Sequence, residues 1–155
     1  MICTEIKSSA SLILFLVLAV TWITPGLGQE PMDLKEKLIQ EYLGEWVNTD
    51  PNSKNVTRLV IENSGKLTVR AFGKCAPKDC ELGEVELFLI SDSVDNEANL
   101  LPFNYAMAIW HLDYAEHVMR LKVRNSQLLI ENTGVFKDNS GRNNYSFSAI
   151  FKKVN

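Results

Sequence analysis

Tyr145-Ser146-Phe147-Ser148-Ala149-Ile150-Phe151-Lys152 alternates larger apolar side chains with small or polar ones, with Ile150 the one break in the pattern. A period of two marks a strand with one buried face, because successive side chains leave a strand on opposite sides. The odd-numbered set, Tyr145, Phe147, Ala149 and Phe151, is therefore expected to face a core. The same period sets Met119, Leu121 and Val123 against Arg120, Lys122 and Arg124, a solvated basic stripe. It also selects Leu59 and Ile61, then Leu67, Val69 and Ala71, then Val85, Leu87 and Leu89 as inward sets, with Glu84 and Glu86 outside. One segment has two apolar faces: Tyr105, Met107 and Ile109 on one, Ala106, Ala108, Trp110 and Leu112 on the other. One of those faces belongs inside, and the other is free to meet a helix or a second chain.

Eight strands follow, near residues 44–50, 56–63, 66–73, 83–92, 104–113, 116–125, 127–136 and 143–153. Asn63-Ser64-Gly65, Asn125-Ser126 and Asn139-Ser140-Gly141 supply tight-turn chemistry between them. Short turns make sequence neighbours antiparallel partners. The expected class is all-β: an eight-stranded antiparallel up-and-down barrel, whose closure leaves no sheet edge exposed. A short N-terminal α-helix over residues 31–43 precedes it. Leu34, Leu38 and Tyr42 recur at a four-residue step, Met32, Ile39 and Leu43 flank them, Pro31 suits the first turn and Gly44 the stop.

With 155 residues the chain has room for one such domain and little more. Residues 1–28 read as a signal peptide. Lys7 lies in a polar leader, an apolar run from Ser11 to Val20 continues through Trp22 and Ile23, and Pro25 precedes the small-residue end Gly26-Leu27-Gly28. The run is short of the roughly 20 residues that a membrane span needs. Cleavage after Gly28 leaves residues 29–155 as a single extracellular domain. One basic and one acidic residue leave with the signal, so the net charge stays at −3. Nucleic acid is not an expected partner, because gripping it takes clustered cations.

Cys3 leaves with the signal, and Cys75 and Cys80 remain as a pair. In an oxidising compartment they are expected to form a disulfide. Two thiolates without a second pair or a nearby His would under-coordinate zinc, and a redox motif would place two residues between the cysteines. Asn55-Val56-Thr57 and Asn144-Tyr145-Ser146 are candidate glycosylation sites.

No nucleophile elbow, His-Glu-x-x-His motif or phosphate-cradling glycine loop is present, so no catalytic residues, metal or cofactor are assigned. His111 and Asp113 share strand parity, and with Glu116 and His117 they are candidates for a small polar cluster at a barrel mouth. Asp138 and Arg142 flank Asn139-Ser140-Gly141. Asp138 suits a turn by accepting backbone N–H groups, and Arg142 is placed to pair with Asp138 or Asp50 at the rim.

Leu43-Gly44-Glu45-Trp46 follows the short helix and opens the first strand of the meander. That arrangement resembles the lipocalin and avidin-like barrels. The resemblance implies that Gly44 permits a tight turn, that Trp46 plugs the barrel base, and that a basic residue on the last strand covers it. Those families favour Arg there; this chain offers Lys153. Trp46 to Pro51, Val56 to Ile61, Ala71 to Cys80 with Gly83, and Phe136 to Tyr145 also resemble a group of small, largely uncharacterised proteins. That group is mostly bacterial and predicted to be lipocalin-like. It implies a shared fold and no particular activity.

Three functions compete. The first is a non-enzymatic secreted protein that binds a small apolar or amphipathic ligand in the barrel. The second is an extracellular structural protein with a filled barrel, alone, as a homodimer or with a matrix partner. The third, an enzyme, has no supporting motif. Interior side-chain size separates the first two, because an eight-stranded barrel holds either one small ligand or side chains alone.

Overall fold

The computed structural model describes residues 34–94 and 103–154. The signal expected over residues 1–28, and Pro31 and Met32 at the helix start, lie outside the described residues. Helix α1 runs Leu34–Tyr42. The strands are β1 Gly44–Asn48, β2 Val56–Asn63, β3 Leu67–Gly73, β4 Cys80–Ile90, β5 Tyr105–His111, β6 Ala115–Arg124, β7 Gln127–Phe136 and β8 Tyr145–Lys153. They close in sequence order, each antiparallel to its neighbour, and β8 returns to β1 with Trp46 opposite Lys153. The fold is the expected all-β up-and-down barrel with one short helix ahead of it.

The alternation reads through into the core. Leu59, Ile61, Val69, Ala71, Leu87, Met119, Leu121 and Phe151 are buried. The ambiguous β5 resolves to Ala106, Ala108 and Trp110 inside. Two alanines fit there because the neighbouring strands supply larger side chains, and Trp110 Nε1 finds the Gly83 carbonyl at 3.0 Å. On the outer face of β5, Tyr105 lies under the Arg120 guanidinium, 4.3 Å from ring centroid to Cζ.

Strand β2 runs as expected over Val56–Asn63, β1, β5 and β8 end or begin within two residues of expectation, and β4 shows the largest shift at a strand start. Strand β4 begins at Cys80 rather than residue 83, because pairing with β3 continues beyond an irregularity between Ala71 and Phe72 to Gly73 opposite Cys80. Gly83 has φ +95° there, a value that favours glycine. Strand β2 also shifts register between Val56 and Arg58, which lets Val56 join Leu59 and Ile61 inside despite the odd spacing.

One end of the barrel is sealed. Trp46 is 1 % exposed and donates from Nε1 to the Tyr42 carbonyl at 2.8 Å. Tyr42 in turn reaches the Leu121 carbonyl with its hydroxyl at 3.3 Å. Gly44 has φ +114°, and a Cβ there would lie 3.1 Å from Lys153 Cε. The bare backbone therefore accommodates the Lys153 stem, whose Nζ stands 5.2 Å from the Trp46 ring centroid. Above this base, Leu59, Ile61, Met119, Trp110 and Phe151 are packed without exposure beyond 1 %.

Candidate functional site

The other end is open. The β1–β2, β3–β4, β5–β6 and β7–β8 connections surround a cavity of about 250 Å³. Its floor comes from inward positions on β6 and β7. His117 faces the same side as Met119, and Asn132 the same side as Ile130, since both strands keep strict alternation. Asn132 Nδ2 lies 3.2 Å from His117 Nδ1, an arrangement that leaves the neutral imidazole its proton on Nε2. His117 Nε2 has no protein hydrogen-bond partner among the described residues. Burial pushes the His117 pKa down, so the ring is neutral at pH 7.

Asn132 is 2 % exposed, yet its Oδ1 has no hydrogen-bond partner among the described residues. A buried acceptor left without a donor costs about 1–3 kcal/mol. The packing of the barrel does not require an amide here, since leucine or valine would fill a similar volume without that cost.

One wall is aromatic. Phe136 and Tyr145 stack with centroids 6.0 Å apart and planes 29° apart; Tyr145 and Phe147 stack at 6.2 Å and 11°. Gly134 makes room for this ladder, because a Cβ there would lie 2.8 Å from Tyr145 Cε1 and 3.1 Å from His117 Cε1. The remaining wall includes Val56, Leu82 and the Cys75–Cys80 disulfide, and the rim carries Lys54, Lys74, Glu81 and Arg142.

The residues singled out from the sequence distribute as follows. Asp138 and Arg142 pair with each other, and not with Asp50, whose carboxylate accepts from Asn52 N. Arg142 also donates to Ser140 Oγ at 2.8 Å and lies 3.9 Å from the Phe136 ring centroid, which ties the β7–β8 turn to the aromatic wall. Hydrogen bonds from Ser140, with Arg142 beside it, hold the Asp138 carboxyl at about 2. The expected His111, Asp113, Glu116 and His117 cluster does not form, because strand alternation splits it. His111 and Glu116 meet on the outer face at 3.1 Å, His117 points inward opposite Trp110, and Asp113 is exposed in the β5–β6 turn. Lys137, then His111, hold the Glu116 carboxyl below its usual range. Asn55 and Asn144 both sit at the mouth end. Asn144 is exposed and accepts from Phe136 N through Oδ1, leaving its Nδ2 unused, while the Thr57 hydroxyl of the first sequon is bound to Asp79 at 2.5 Å.

Asn132, Gly134 and Phe136 were not among the site residues expected from the sequence. The signal was present: an amide at an inward position between Ile130 and Gly134, on a strand whose other inward residues are apolar.

A groove of about 460 Å³ on the outer face, lined by Tyr105, Arg120, Leu129 and Ile150 among others, is larger. Its charged groups are exposed and already paired, Arg120 with Glu131 and Lys122 with Asn104. It lacks the buried, incomplete polar pair that distinguishes the mouth.

No family model, curated protein or solved structure matches the chain.

Proposed function

We propose that the chain is a secreted, lipocalin-like binding protein whose barrel mouth takes one small amphipathic molecule and performs no chemistry on it. The incomplete Asn132–His117 pair at the floor of an aromatic-walled cavity carries this reading. Ligand sites combine mostly apolar walls with a few well-placed polar groups, and a buried polar atom without a partner is an expense that a bound group would relieve. An enzymatic reading finds little support. His117 bonds to an amide, which can orient an imidazole but cannot stabilise an imidazolium as a carboxylate does. The disulfide accords with an oxidising compartment, and the exposed Asn144 is the favoured glycan position.

The alternative is an extracellular structural protein. The densely filled lower barrel favours it, as do Val118, Leu129, Val135 and Ile150, which are exposed on the outer surface and offer apolar area to a second copy. Native mass spectrometry of the protein recovered from the medium of its own source separates the two. We expect a chain beginning at Gln29, glycan mass at Asn144, and a non-covalent small-molecule adduct lost on gentle activation. A dimer free of any adduct would favour the structural reading, and retention of Met1 to Gly28 would reject secretion.

A further inference from the structure

We infer that the mouth selects a short, flat, uncharged aromatic ring bearing a hydroxyl, bound with that hydroxyl directed at the Asn132–His117 floor. This rests on the mouth being a binding site, and deepens it to a ligand class.

Four observations converge. At the floor, Asn132 Oδ1, closed to solvent, is an acceptor without a partner among the described residues, and His117 Nε2–H is a donor without one. Were the amide turned over, the imidazole proton would move to Nδ1, and donor and acceptor would simply exchange places. A hydroxyl both donates and accepts, so it serves either arrangement, directly or through one water. A carboxylate only accepts and an ammonium only donates. Either charge would also lose its hydration at a floor that holds no counter-charge. The ionic groups of the mouth, Lys54, Lys74, Glu81 and Arg142, stand at the rim instead.

Shape sets the rest. The near-parallel planes of Phe136, Tyr145 and Phe147 present faces and edges suited to another ring. The cavity of about 250 Å³ falls just below the roughly 300–1,000 Å³ of pockets that take drug-sized ligands. Beneath it the barrel is filled by Trp110, Met119 and Phe151, so a long acyl chain has nowhere to extend.

The experiment compares 2-naphthol, 2-methylnaphthalene, 2-naphthoate and palmitate binding to the mature protein by titration calorimetry or competition fluorescence. We expect 2-naphthol to bind more than about tenfold tighter than each of the others. In Asn132→Leu, or Asn132→Val should leucine not be accepted, the preference for 2-naphthol over 2-methylnaphthalene should collapse while the melting temperature holds or rises. A merely structural Asn132 would leave that preference intact, which would overturn the inference. Equal binding of 2-naphthol and 2-methylnaphthalene to the unaltered protein, or tighter binding of 2-naphthoate or palmitate, would also overturn it while leaving the mouth as a binding site. Failure of all four to bind would remove the binding reading itself.

Discussion

Trp46→Ala is expected to bring the protein close to unfolding, with a loss of roughly 3–5 kcal/mol out of a total that for domains of this kind is about 5–15 kcal/mol. The magnitude follows from what the ring does. It is 1 % exposed, it closes the base beneath the packed interior, and its Nε1 fixes the end of α1 through the Tyr42 carbonyl at 2.8 Å. Alanine would leave a cavity, remove a donor from a buried carbonyl and release the helix that covers the base. Lys153→Met separates packing from cation–π attraction. Nζ, on an exposed side chain, lies 5.2 Å from the ring centroid and 3.5 Å from the Glu41 carbonyl, so its loss is expected to cost only about 0.5–1 kcal/mol. Urea unfolding of the two variants checks both magnitudes. An unchanged midpoint for Trp46→Ala would contradict the sealed base.

Cys75→Ser with Cys80→Ser is the second large effect. The bridge closes a loop with a sequence separation of 5. On the chain-entropy account, fixing so short a loop contributes about 2 kcal/mol by restricting the unfolded chain. The consequence is local as well as global. Cys80 opens β4 opposite Gly73, and both cysteines line the mouth cavity. Without the bridge, the β3–β4 turn is expected to open more readily than the rest of the barrel. Hydrogen exchange should accelerate first at residues 73–82, and 2-naphthol should bind more weakly even where the barrel remains folded. Equal protection across the molecule after removal of the bridge would show that the disulfide does not shape the mouth.

Much of this architecture was legible because the alternation is strong wherever one face is wet. Met119, Leu121 and Val123 against Arg120, Lys122 and Arg124 leave β6 only one orientation. The base was legible through Gly44, Trp46 and Lys153, although the role of Tyr42 as acceptor for the indole and as donor to Leu121 depends on distances that no periodicity encodes. Strand β5 was ambiguous because both its faces are apolar, and only pairing with β4 and β6 decides between them. The floor of the mouth was misread for a related reason. Proximity in sequence grouped His117 with His111 and Glu116, whereas adjacent strand residues face opposite sides. The true partner, Asn132, lies 15 residues away on the next strand. Likewise, nothing in a single sequence says that Gly134 is bare so that Tyr145 can lie against it; that follows from their pairing across β7 and β8.

A sealed base and an open, polar-floored mouth make the two ends of the barrel unequal, and a binding map tells them apart. Amide and side-chain resonances of the isotope-labelled mature protein would be followed as 2-naphthol is added. The largest shifts are expected on His117, Asn132, Gly134, Phe136, Tyr145 and Phe147, with Trp46, Tyr42 and Gly44 unmoved. Shifts centred on Trp46 and α1, or on the outer faces of β6 to β8 at Leu129 and Ile150, would contradict that expectation.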